Sequence, residues 1–360
     1  MQRLRYRHLS AAIAVSFLAA SPASAETLYI AAGRLIDGVS NAVRTGQCIT
    51  VEAERIKAVG ACGKAPDGAT IIDWSDFTVL PGLIDLHTHL ADLGQSADLA
   101  APMKASPAET ALVGARNARV TLDAGFTSVR DVGTYRGLTD VTLRNAIATG
   151  AVLAIGTEPG APEMTVEQLR AVVKVAHARG KKVTAHAHGA EGIKNAINAG
   201  ADSIEHASLA DEAALQLAKK NGTWLAMDIY NGTYIDDIGT KEGWPEEYLR
   251  KNRETTDAQR TAFRRAVELG VNIGYATDDG VYPHGLNARQ FRNMVKYGMT
   301  PMQAIQSATG RASEEMGRGD VGAILPGRYA DFVAVKADPL ADIAVLEKID
   351  HVMKGGVLIR

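Results

Sequence analysis

The chain has little cysteine, no excess of charge of either sign, and no long apolar run beyond its first two dozen residues. Cys48 and Cys62 are the only cysteines among 360 residues. They are too few, and too distant in sequence from the histidines, to make a metal site of their own. An oxidising compartment permits a disulfide between them, and two free buried thiols is the other reading; both stand. Lys and Arg number 39 against 41 Asp and Glu, a balance that gives no reason to expect nucleic acid as a partner. No segment after the N-terminus approaches the roughly 20 apolar residues that cross a bilayer.

What is there begins with a segment that reads as separate from the fold. Arg3, Arg5 and Arg7 precede an apolar stretch, Leu9 to Ala20, and Ser21-Pro22-Ala23-Ser24-Ala25 ends it in small residues. That order is the pattern of a secretory signal peptide over 1–25, with cleavage expected after Ala25 and a periplasmic or secreted location. Its loss removes three arginines and no acids, which leaves 36 basic against 41 acidic residues. The remainder is long enough for one large domain or two smaller ones, and an oligomer stays open.

Residues 26–80 read as short strands separated by Gly, Asp and Pro turns: Leu28-Tyr29-Ile30, Cys48 to Val51, Ile56 to Val59, and Ala69 to Ile72. The end of the chain repeats the style at Phe332 to Val335 and His351-Val352-Met353. A small β-sandwich built from 26–80 and 318–360 is therefore expected. Between them, over 81–317, strands alternate with helices, which predicts an α/β domain with a parallel sheet. The strands are Thr78 to Leu86, Thr127 to Val132, Lys182 to His188, Ser203 to Ala207, Thr223 to Asp228 and Asn272 to Asp278. The clearest helix is Thr165 to Ala178, with a capping box from Thr165 to Gln168 and Gly180 after its end. A second runs from Asp257 to Leu269.

The chemistry sits at the ends of those strands. Leu83-Ile84-Asp85-Leu86-His87-Thr88-His89 is an apolar strand ending in His-x-His, and alternation puts both imidazoles on one face. Alone that motif is weak. Val183-Thr184-Ala185-His186, Ser203-Ile204-Glu205-His206 and Ile273-Gly274-Tyr275-Ala276-Thr277-Asp278 end three more strands in a metal-type ligand. Neutral imidazole and carboxylate are donors that zinc accepts. The C-terminal ends of parallel strands are where a (β/α)8 barrel places its site. Beside a metal, Asp278 can also take a proton from water and pass it on. Asp279 adjoins it, but only one of the pair can point inward. Glu205 and Asp202 read as local pairing or caps.

These segments resemble the amidohydrolase superfamily, in the branch of imidazolonepropionase-like proteins and Xaa-Pro or Xaa-Arg/Lys dipeptidases. The resemblance rests on Val79 to His89, Thr127 to Asp131, Lys182 to Gly189, Ser203 to His206, Ala276 to Gly285, Gly322 to Asp331 and Asp338-Pro339. It spans nearly all of the chain after the leader. It implies a barrel plus a small β-sandwich, zinc or another divalent metal as one or two ions, and small-molecule or dipeptide substrates. His87 and His89 would bind the more buried metal, His186 and His206 the second, and Asp278 would be ligand and proton shuttle. Arg130, which can grip a carboxylate with two hydrogen bonds, and His188, Tyr230 and His284 would contact substrate.

The sequence departs from that pattern once. The family bridges its two metals with a carboxylated lysine at the end of the fourth strand, and here no lysine occurs between Lys104 and Lys174. Only 49 residues separate Val132 from Lys182, where three helices and two strands would need about 80 at roughly 30 residues per βα unit. Leu143 to Ile147 resembles the helix after the second strand, and Ala148 to Val152 the loop after the fourth. The barrel is therefore expected to be incomplete, with residues 150–164 the candidate for one irregular strand, and with a single metal favoured over two. The reading is a metal-dependent hydrolase of dipeptides or N-acyl amino acids with a free carboxylate. The alternatives are a metal-binding relative without activity and, within the enzyme class, a cyclic amide or lactone substrate.

Overall fold

The computed structural model describes residues 26–92, 94, 104–133, 147–149 and 160–360. The leader pattern over 1–25, and most of the interval read as a helix and loop at 143–152, lie outside the described residues. Strands from both ends form one mixed sheet of seven. They are β1 (Thr27–Ile36), β2 (Val43–Glu52), β3 (Arg55–Ala61) and β4 (Thr70–Pro81), and β12 (Phe332–Val335), β13 (His351–Lys354) and β14 (Val357–Leu358). In the sheet the order is β14-β13-β12-β4-β1-β2-β3, and β12 runs antiparallel to β4. Its own apolar core includes Ile30, Leu35, Ile49, Trp74, Phe332 and Met353. Cys48 on β2 is disulfide-bonded to Cys62 just beyond β3, which decides between the two readings of the cysteines.

The expected strand from Thr78 to Leu86 is in fact two. β4 ends at Pro81 in the terminal sheet, and β5 (Leu83–Thr88) begins the α/β unit. Gly82 is the joint. Its N–H donates to the Asp331 carbonyl in the terminal sheet, and the next N–H, of Leu83, donates to Gly125 in the other unit. A Cβ at Gly82 would run into the Thr127 side chain, so only glycine lets the two sheets approach there.

The second unit is parallel. β5 pairs with β6 (Phe126–Asp131). β7 (Ile147–Thr149), β8 (Thr184–Gly189), β9 (Ser203–Leu209), β10 (Trp224–Ala226) and β11 (Ile273–Gly274) pair in that sequence. Backbone bonds then join β11 to β5: Leu86 N–H to Tyr275 O, Asp278 N–H to His87 O, and His89 N–H to Asp279 O, each 2.9 Å. The resulting wall runs β6-β5-β11-β10-β9-β8-β7. Among the described residues it is open between β6 and β7, the ends of the interval that the sequence shortens. A short strand lies at Ile147–Thr149, in register with Ala185 to Ala187; most of the expected irregular strand at 150–164 lies outside the described residues.

Helices cover the wall: α1 (Pro107–Asp123), α2 (Val166–His177), α3 (Ala190–Ala199), α4 (Glu212–Asn221), α5 (Glu246–Leu269), α6 (Arg289–Lys296), α7 (Pro301–Ser307) and α8 (Gly310–Met316). α2 has the expected Thr165–Gln168 capping box. α5 starts eleven residues before the expected Asp257, because its first turns are polar and show little apolar periodicity. Leu169, Ile193, Leu215 and Phe263 from four of these helices pack with Ala185, Ile204, Leu225 and Ile273 from the strands in one core. None of the described helices is long and apolar enough to cross a membrane.

Candidate metal centre

The wall brings its strand ends to one place. His87 and His89 lie on and just after β5, His186 on β8, His206 on β9, and Asp278 on the turn after β11. His87 Nε2 and His89 Nε2 are 3.3 Å apart, and Asp278 Oδ1 is 3.2 and 3.1 Å from them. His186 Nδ1 is 2.9 Å from His206 Nε2. His87 belongs to both groups, since one of its nitrogens lies within 4.8 Å of donors on His186 and His206.

The other ring nitrogens settle how these rings are held. His87 Nδ1 donates to Glu205 Oε2 at 2.8 Å, His89 Nδ1 to the Gly133 carbonyl at 2.7 Å, and His206 Nδ1 to Asp228 Oδ1 at 2.9 Å. Each ring thus keeps its Nδ1 proton on an outer acceptor and turns the Nε2 lone pair inward, the tautomer that metal-ligating histidines adopt. Bare nitrogens facing one another at 3.3 Å require a cation or an added proton between them. The titration behaviour agrees. Burial opposes charge on His87 and His89, but Asp278 overrides it, so His87 is raised well above its usual value and His89 to about 9. Burial likewise opposes ionisation of Asp278, and His87 and His89 hold it well below the usual carboxylate range. The donor set and its polarity fit a divalent cation. No lysine occurs between Lys104 and Lys174, the stretch expected to supply a bridge.

The backbone is strained at the same place. Among the described residues four non-glycine residues have positive φ, and three are His206 (67°), Ala207 (49°) and Asp278 (55°). Left-handed backbone at a candidate ligand position is a conformation the surrounding fold must enforce.

Sequence reasoning put the five candidate ligands at strand ends, and the fold brings all five together. It also puts Asp278 rather than Asp279 inward: Asp279 turns to Asn287 and to His284, at 2.6 Å each. Glu205, read as a local pair or cap, is fully buried beneath His87. Arg130 is placed differently from a substrate-reading residue. Its guanidinium donates to Glu205 Oε1 and to the Leu86 carbonyl at 2.7 Å, and lies 3.1 Å from Glu315 Oε1 on α8. Two buried carboxylates therefore occupy the fork that a ligand would need. His188 stacks on His206 with centroids 4.3 Å apart, bonds Ser208 Oγ, and is held neutral by burial and by His206. The Tyr230 hydroxyl accepts from Arg289 at 2.9 Å. His284 bonds Asp279 and Thr121.

Two residues of this centre went unread in the sequence. Asp228 ends the β10 segment in a carboxylate, the same signal that marked Asp278. Asn231 follows three residues later, and its amide donates to Asp228 Oδ2 at 2.7 Å and to Asp278 Oδ2 at 2.9 Å; an isolated Asn after a strand carries no such signal.

Comparison with known proteins agrees with this architecture. The model of the Amidohydrolase family matches residues 78–147 and 139–359, two stretches that meet in the shortened interval. The structure of a Xaa-Pro dipeptidase with bound methionine is 31% identical, with a TM-score of 0.86 over 93% of this chain and 100% of that one. Ochratoxinase of Aspergillus niger is 33% identical over 221 residues, which is 59% of this chain and 45% of that protein. This chain thus spans about half the length of the curated relatives it matches. A prolidase complexed with N-methylphosphonate-L-proline, 23% identical, shares the fold with a TM-score of 0.84 over 93% of this chain and 99% of that one.

Proposed function

From the premise that the chain belongs to the amidohydrolase family, we propose that it is an exported zinc-dependent hydrolase of dipeptides or N-acyl amino acids. The observation that carries the reading is the convergence of His87, His89, His186, His206 and Asp278 with three outer nitrogens already committed. One zinc ion is favoured, because the stretch expected to supply a bridging lysine has none. His87, His89, His186, His206 and Asp278 would hold the ion, which when bound would supply Lewis-acid polarisation of a carbonyl and a lowered pKa for water, to about 7.

The chain's own groups do the rest. Asp278, held ionised, would take at Oδ1 the proton of the water that attacks the amide carbon, and return it to the amide nitrogen as the C–N bond breaks. Tyr230, backed by the Arg289 cation, and neutral His188 donate hydrogen bonds to the substrate carboxylate or carbonyl oxygen, with His284 behind them. Arg130 supports Glu205 rather than the substrate. The dipeptidase and ochratoxinase similarities support an amide as the bond cleaved. Export is supported by the leader pattern and by the Cys48–Cys62 disulfide.

The test is metal content per chain with hydrolysis of an N-acyl amino acid, beside its methyl ester and a lactone. About one zinc equivalent, amide turnover that needs the free carboxylate, and loss of both in His87→Ala are expected. A chain that takes up no zinc sinks the hydrolase reading. One that binds zinc but cleaves no amide is the inactive metal-binding relative, and faster lactone cleavage reassigns the substrate.

A further inference from the structure

Asp228 and Asp278 hold opposite sides of the centre. Asp228 fixes His206, which faces His186, and Asp278 faces His87 and His89. The two carboxylates and His206 offer atoms within 4.8 Å of one another, and like charges at that range repel. One side chain lies between them. Asn231 Nδ2 gives one hydrogen to Asp228 Oδ2 at 2.7 Å and the other to Asp278 Oδ2 at 2.9 Å. The amide has one orientation, because turning it over would set Oδ1 against two carboxylate oxygens. Its Oδ1 is buried with no hydrogen-bond partner, so the contacts to the carboxylates are kept while its acceptor goes unused.

The turn that carries Asn231 is pinned from several sides. Tyr230 N–H donates to Gln290 on α6, Asn252 on α5 donates to the Gly232 carbonyl, and Arg260 on α5 donates to Thr233 Oγ1. A Cβ at Gly232 would run into Thr256, so α5 packs directly on the turn. Gln259, also on α5, donates to Asp228 Oδ1 at 3.1 Å and so fixes the second oxygen of that carboxylate.

We propose that Asn231 is a positioning residue of the centre, whose side-chain amide ties Asp228 to Asp278 and so sets its two halves in register. With Oδ2 held by Asn231, Asp278 is prevented from rotating and presents Oδ1 to His87 and His89. The inference rests on the metal-dependent reading above.

Asn231→Ala removes both tethers, and Asn231→Asp replaces them with a third negative charge. The probes are zinc alone, titrated against a chromophoric chelator, and kcat and KM on the N-acyl amino acid. Asn231→Ala is expected to weaken zinc binding and lower kcat, each roughly 10–100-fold, with KM within about twofold. Asn231→Asp is expected to bind zinc at least as tightly as the parent, yet lose kcat to a similar degree. Affinity and turnover moving apart is a result that a merely structural asparagine does not give. If Asn231→Ala does not fold by circular dichroism, Asn231→Asp and Asn231→Ser decide the matter by the same two readouts. Variants that match the parent in zinc affinity and kcat overturn the role of Asn231 alone, whereas a parent chain that takes up no zinc overturns the metal-dependent reading itself.

Discussion

Arg130 shows how a residue type misleads when its surroundings are unknown. An arginine after a strand in a polar site invites a substrate carboxylate, but here Glu205 and Glu315 take the guanidinium from inside the fold. Two buried acids share one cation, and they divide it unequally. Burial raises both carboxyls, but Arg130 and His87 bring Glu205 down to about 2. Glu315 stays raised to about 7, by burial and by the nearby Glu205 charge, with Arg130 only partly opposing. A carboxyl whose folded pKa exceeds its ordinary 4.5 binds its proton more tightly in the native state. Its contribution to stability is full below about pH 4.5 and is lost as pH rises to about 7. Glu315→Gln has no proton to lose. Between pH 5 and 7.5 its stability should therefore rise relative to the parent by about 1–3 kcal/mol, read from urea midpoints at the two pH values. Parallel pH profiles for parent and variant would show that Glu315 does not titrate in this window. The same distinction governs what the sequence disclosed. The four histidines and Asp278 were legible because each ends an apolar strand, whereas Asn231 and Glu315 matter through partners as far as 47 and 185 residues away.

At the scale of elements, the strands and their direction were legible from apolar runs between turn residues. Their limits were not, because apolar pattern does not show where a strand changes sheets. Val79 to Leu86 is apolar almost throughout, yet it contributes to two sheets that meet at Gly82. The joint depends on a missing side chain: Gly82→Ala drives a methyl group into Thr127 on β6. Overpacking of this kind costs about 1–3 kcal/mol. Because β5 carries His87 and ends beside His89, the same substitution should also lower zinc retention. Gly60→Ala is the control, since a Cβ there meets nothing within 4 Å. Calorimetric melting of the two variants should separate them by several degrees, with Gly60→Ala near the parent. Equal melting temperatures would mean that β5 and β6 shift apart without penalty, and that the joint is not tight.

At the scale of the molecule, counting residues between Val132 and Lys182 was enough to foresee the wall that is open among the described residues, since no folding rearrangement lengthens a chain. The place of the remaining strand was not foreseeable, because Ile147–Thr149 is recognised only by its pairing to β8. Among the described residues the wall is not closed between β6 and β7, and so lacks there the closure that gives a barrel its rigidity. The centre draws on β5, β8, β9 and the turn after β11, elements spread across that wall. A cation bound there would cross-link strands that, among the described residues, closure does not. Ligand bound only by the native state stabilises it by RT ln(1 + [L]/Kd), about 2.7 kcal/mol at a hundredfold excess over Kd. Zinc should therefore raise the melting temperature of the chelator-treated protein, and more chelator should reverse the rise. His89→Ala and His206→Ala, which remove a donor from opposite halves of the centre, should each abolish most of the gain. A rise that survives both substitutions would place the stabilising ion elsewhere on the chain, and an absent rise in the parent would leave the open wall held by packing alone.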